Sequence, residues 1–119
     1  MAHLDHAYVK NIIELLGADQ FALLKDQFVL DCNRAVEALR AARAEGDEAQ
    51  VKKQAHKLKG VLAQYGARQG EAIAARLADG LPSDWRDVTQ ALLDETAMAC
   101  SEMARSEEHT SELQSRLHL

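Results

Sequence analysis

A chain of 119 residues can bury one sizeable core but not two, so a single domain is expected. Aromatic residues make up only 4% of it, the helix formers alanine, leucine, glutamate, lysine, arginine and glutamine dominate, and the lone proline, Pro82, falls between helical patterns, which points to an all-α fold. The formal charge of -5 argues against a general nucleic-acid binder, and neither a membrane-length apolar run nor a signal-peptide apolar region is present, so a cytoplasmic protein is expected.

Leu4, Tyr8, Ile12 and Leu15 or Leu16 recur at helical spacing between Asp5 and the stop at Gly17, which predicts a short amphipathic helix acting as a lid. From about Asp19 a longer helix follows, whose core-facing stripe is Phe21, Leu24, Phe28, Cys32, Ala35 and Leu39, up to the break at Glu45-Gly46. Asp47 is the expected N-cap of the next helix, with Gln50 three residues on completing a capping box. Val51, Ala55, Leu58, Leu62 and Tyr65 make one apolar face of that helix, while His56, Lys59, Gly60 and Ala63 make another. At about 100° per residue, His56 lies about 160° around the axis from Leu58, so burying Leu58 exposes His56.

Gly66 ends or bends this helix, and Ile73, Ala74 and Leu77 continue a helical pattern to Asp79-Gly80. Leu81-Pro82-Ser83 reads as a turn, with Ser83 capping a last helix that carries Trp85, Val88, Leu92, Ala99 and Met103 and has one weak position, Thr96. Four main helices with short connections predict an antiparallel four-helix bundle with the short N-terminal helix as its lid. Cys32 and Cys100 fit no metal or disulfide spacing and fall on apolar stripes, so both read as reduced core residues. Trp85 and the phenylalanines read as core anchors.

The segment RSEEHTSELQSRLHL, Arg105 to Leu119, breaks with the alanine-rich helix before it in composition and pattern. Arg105 to Ser115 resembles the in-frame translation of a common sequencing-library adapter, so residues 105–119 are set aside as a non-native tail, with His109 and His118, and residues 1–104 are taken as the domain.

The candidate site is centred on His56. Lys52, Lys53, Lys57, Lys59 and Arg68 place five cations between Ala49 and Gly70 with no acid among them, a local positive patch in an acidic protein. A solvated lysine-rich face would account for the charge but not for Gly60, because glycine in an exposed helix interior costs about 1 kcal/mol relative to alanine. An imidazole of ordinary pKa, about 6.5, is largely neutral at pH 7 and therefore nucleophilic. Lys59, one turn on, is placed to neutralise the oxygens of a transferring phosphoryl group. The chain carries no glycine-rich phosphate loop or clustered metal-binding acids, so the donor, its catalytic acids and its magnesium are expected on another protein. Gly60 then leaves room for that partner.

The run H-K-L-K-G at His56 to Gly60, followed by Tyr65-Gly66-Ala67, resembles the histidine-containing phosphotransfer (HPt) domain family of two-component phosphorelays, whose pattern is H-x-L-K-G and then an aromatic or aliphatic residue, glycine and a small residue. The likeness extends over the layout from Leu4 to about Ala104, including the Gly46-Asp47 turn before the histidine helix. It implies that His56 is the phosphoacceptor, Lys59 the electrostatic helper and Gly60 the clearance residue, with Lys52, Lys53, Lys57, Gly60, Ala63 and Ala67 meeting the partner. That partner would be the receiver domain of a response regulator or hybrid histidine kinase, and the chain a phosphotransfer intermediate rather than an enzyme. A monomer is expected, with no cofactor, metal, nucleic acid or membrane. The sequence departs from the family at Val61 and Leu62, where serine or alanine is usual; Leu62 lies in the apolar register and calls for a roomier core. The alternative is a non-phosphorylated docking module for a receiver or kinase. A third reading, a metal-binding bundle, has only His3 and His6 at i, i+3 to start from, with no further ligand apparent.

Overall fold

The structure, a computed structural model, describes residues 3–117, and the side chains of residues 3–105. Among the described residues there are five helices and no strand: α1 His6–Leu16, α2 Ala18–Glu45, α3 Glu48–Gln64, α4 Arg68–Ala78 and α5 Trp85–Leu117. α2 packs on α3, α3 on α4, α4 on α5 and α5 back on α2, closing a ring, while α1 lies against α2. α5 is helical across position 105. The side chains of residues 106–119, which carry most of the segment set aside as a tail, lie outside the described ones.

The core follows the stripes read from the sequence. Phe21, Phe28, Cys32, Ala35 and Leu39 of α2 are buried, with Leu24 partly so, and Val51, Ala55, Leu58, Leu62 and Tyr65 come from α3 and its C-cap. The rings of Phe28 and Tyr65 meet at 4.5 Å between centroids, tilted by 56°, a geometry in which one ring's edge approaches the other's face. Thr96, the weak position of the last helix, and Thr89 are both buried in α5, and each hydroxyl donates to the carbonyl four residues back, of Leu92 at 2.8 Å and Trp85 at 2.7 Å. A threonine that satisfies its own hydroxyl within the helix leaves its methyl to pack.

Four local expectations are corrected. Of the α1 stripe, Leu4 is buried ahead of the helix and Ile12 packs partly buried against the core, but Leu15 is 84% exposed, and the buried residue of the helix itself is Val9. The capping box is only half made: the Asp47 carboxylate accepts from the Gln50 amide, but the Asp47 amide donates to Ala42 at the end of α2. The tight α2–α3 turn through Gly46, in the left-handed region, thus uses that amide before Gln50 can. α5 begins at Trp85, one residue later than a Ser83 cap requires, with the Asp84 carbonyl accepting from Val88. Trp85 itself is half-buried at the core's edge, with the Arg86 guanidinium 4.8 Å from its ring centroid, rather than a central anchor.

Two glycines hold the α3–α4 corner. Gly66 has φ +77, and a Cβ there would stand 2.7 Å from the Tyr8 ring, so neither its backbone nor its surroundings admit a side chain. A Cβ on Gly70 would come within 2.8 Å of Leu62 Cδ1. The roomier core that Leu62 calls for is supplied here, by a missing side chain on α4.

Candidate functional site

The apolar register of α3 sets the site. With Leu58 and Ala55 at zero exposure, His56, Lys52, Lys53, Lys57 and Gly60 lie exposed and Lys59 and Ala63 half-exposed. Lys59, Gly60 and Ala63 follow His56 by three, four and seven residues, so they share its side of the helix, with neighbouring Cβ positions about 5–6 Å apart. Lys53 and Lys57 flank that stripe. The structure therefore brings together every α3 residue singled out from the sequence. Ala67 does not join them: it is fully buried at the α3–α4 corner, its amide donating to the Leu62 carbonyl at 2.9 Å, so it has no surface to offer a partner.

Gly60 differs from the corner glycines. A Cβ placed on it meets no heavy atom within 4 Å, and it carries no positive φ. Nothing within the chain requires glycine at this position, and the helix gives up about 1 kcal/mol to keep it.

Beside this face, α2 and α3 leave an open cleft of about 220 Å³ lined by Asp31, Arg34 and Ala35 from α2 and by Gln54, Lys57 and Val61 from α3. Asp31 is held by the Gln27 amide at 2.8 Å. The contribution of Asp31 and Arg34 to the surroundings of the lysine face was not read from the sequence; its signal was an opposite-charge pair at i, i+3 on the flank of the α2 stripe. Val61 packs against the core and forms one wall of this cleft.

On the core stripe of α2, Cys32 meets Cys100 of α5. Both are free thiols, Cys32 buried and Cys100 half-buried. A hydrogen bond to Cys100, burial, and the nearby Cys100 and Asp31 charges push the Cys32 thiol well above its ordinary range, while accepting that bond draws Cys100 down against its own burial. Burial and the charges of Asp31 and Cys32 push the Tyr65 phenol up as well. The two cysteines thus form a contact between α2 and α5 rather than two separate core residues. His3 and His6, which the sequence left without further partners, face Glu95 and Glu102 of α5. Among the described residues no group of three or more histidine, cysteine, aspartate or glutamate side chains is placed to hold a metal ion, and no helix is long and apolar enough to cross a membrane.

No curated protein and no solved structure matches the chain. Compared with models of known families, residues 23–118 match that of the Hpt domain. The match begins within the first turns of α2 and includes all of α3 and α4, so α1 lies outside it.

Proposed function

Since this chain belongs to the Hpt domain family, whose members are phosphotransfer intermediates of two-component signalling and interact with receiver domains, we propose that His56 accepts a phosphoryl group from a receiver's aspartyl phosphate and passes it to another receiver or returns it. The observation that carries the assignment is the outward position of His56 on a face of cations, one turn from a glycine that nothing inside the chain demands. In this reading α2 to α5 are an antiparallel four-helix bundle with α1 as its lid, and the bundle's role is to hold α3 rigid while one face stays bare.

The unprotonated imidazole nitrogen attacks phosphorus; the N–P bond forms as the P–O bond to the aspartyl carboxylate breaks, and the carboxylate leaves with the electron pair. Little covalent chemistry is left for the protein beyond positioning and charge. Lys59 neutralises the equatorial oxygens as charge spreads over them. Lys52, Lys53 and Lys57 draw an acidic receiver surface toward the face, and Gly60 and Ala63 let its active site approach. Val61, half-buried on the flank, removes none of these groups.

The test is transfer of label from a phosphorylated receiver. It should appear on the chain as an acid-labile phosphoramidate, and His56→Gln should abolish it while leaving the circular dichroism spectrum unchanged. Label on a folded His56→Gln variant identifies another acceptor and ends the assignment.

A further inference from the structure

Glu95 and Glu102 stand two turns apart on one face of α5 and are nearly enclosed, at 9% and 7% exposure. Carboxylates so placed need partners with good geometry, because burying an unpaired charge is costly. Histidines meet both. His3 Nδ1 lies 2.6 Å from Glu95 Oε2, the His3 amide donates to Glu102 Oε2 at 2.6 Å, and His6 Nε2 lies 3.0 Å from Glu102 Oε1.

Other charged groups border the contact. Arg105 of α5 lines an open cleft with His3, Ala97, Met98 and Ser101. From α4, Arg68 stands 4.0 Å from Asp5 and 3.6 Å from Glu71. Glu95 also touches α4 itself, its γ carbon 3.7 Å from where a Cβ on Gly70 would stand.

We propose that His3 and His6 are a proton-controlled clasp, fastening the N-terminal segment and α1 to α5 when their imidazoles are charged and loosening it when they are neutral. A charged imidazole makes a charge-assisted hydrogen bond to the carboxylate, roughly twice as strong as the neutral one. The fastening is therefore strong while the imidazoles carry their protons and weakens when they release them as pH rises.

What the clasp holds reaches the histidine helix. The Asp5 amide donates to the Gly66 carbonyl at 2.8 Å and the Tyr8 hydroxyl to the Gln64 carbonyl at 2.8 Å. Fastened, the segment braces the C-terminal end of α3. The clasp stands independently of the phosphotransfer reading, and much of it is built from residues outside the family match.

The experiment is amide hydrogen exchange on the full chain at pH 6 and pH 8, with rates corrected for intrinsic chemistry. Protection of the α1 amides should fall about tenfold between the two, the scale set by losing charge assistance in a partly buried bond, while Ala55 and Leu58 in α3 keep theirs. The double variant His3→Gln and His6→Gln, which keeps side-chain donors but cannot titrate, should show low α1 protection at both pH values. In the unaltered chain, the ring-carbon NMR shifts of His3 and His6 should titrate over the same interval as the loss of protection. Equal α1 protection at both pH values, a pH dependence that survives in the double variant, or ring titration over a different interval overturns the proposal.

Discussion

A side chain at position 60 separates clearance for a partner from any demand of the fold. A Cβ there meets nothing within 4 Å, so Gly60→Ala sacrifices no contact and recovers about 1 kcal/mol of helix propensity. In a domain of this size that is worth roughly 4 °C in Tm. Gly60→Gln keeps most of the gain, since glutamine is itself a good helix former. It also projects a long side chain from the exposed face, one turn from His56. Phosphoryl transfer needs the reacting atoms about 3–3.5 Å apart, and a misplacement of about 1 Å costs on the order of 100-fold in rate. Thermal melts should therefore show both variants at or above the starting Tm. Transfer from a phosphorylated receiver to Gly60→Gln should slow about 100-fold by the same reasoning. A small phosphoramidate donor needs no docking surface, and its reaction with His56 should fall much less. If Gly60→Gln accepts phosphate from the receiver at the original rate, clearance is not why the glycine is present; if Gly60→Ala melts lower, the space beside it is not open.

Deleting residues 105–119 should leave Tm and phosphotransfer nearly unchanged, because a segment that resembles translated adapter has not been selected to pack; a large loss of either, by melting or label transfer, would show that the segment packs. Alkaline unfolding should begin as pH rises past about 9–10, the ordinary range of a thiol and a phenol. The Cys32 thiol and the Tyr65 phenol are both pushed up in the folded chain, so the unfolded chain releases their protons first and stability falls upward from there. Tyr65→Phe should lessen the slope of stability against pH above pH 10, and an unchanged slope would assign the effect elsewhere.

The histidine helix was the most legible part of the sequence because one requirement, the burial of Leu58, fixes the direction of every other residue on it. Long amphipathic stripes such as that of α2 were legible for the same reason. What escaped depends on partners distant in the chain. Nothing local to His3 marks Glu95, 92 residues away, as its contact, and nothing in Cys32 marks Cys100. Ala67 was misplaced because a small residue after a glycine suits a bare surface and a tight corner equally well; only the packing of the α3–α4 corner decides between them. The competition for the Asp47 amide was hidden too, since the end of one helix and the start of the next use the same residue.

The close approach of Leu62 to Gly70 makes the two positions a single inherited unit. A bulky residue at 62 and an empty one at 70 share one volume, so a lineage that changes either alone passes through an overfilled or a hollow intermediate. A small residue at 62 would leave position 70 free to vary, whereas Leu62 does not. The two positions should substitute together or remain as they are, and the constraint that links them crosses from the helix bearing His56 to the one beside it.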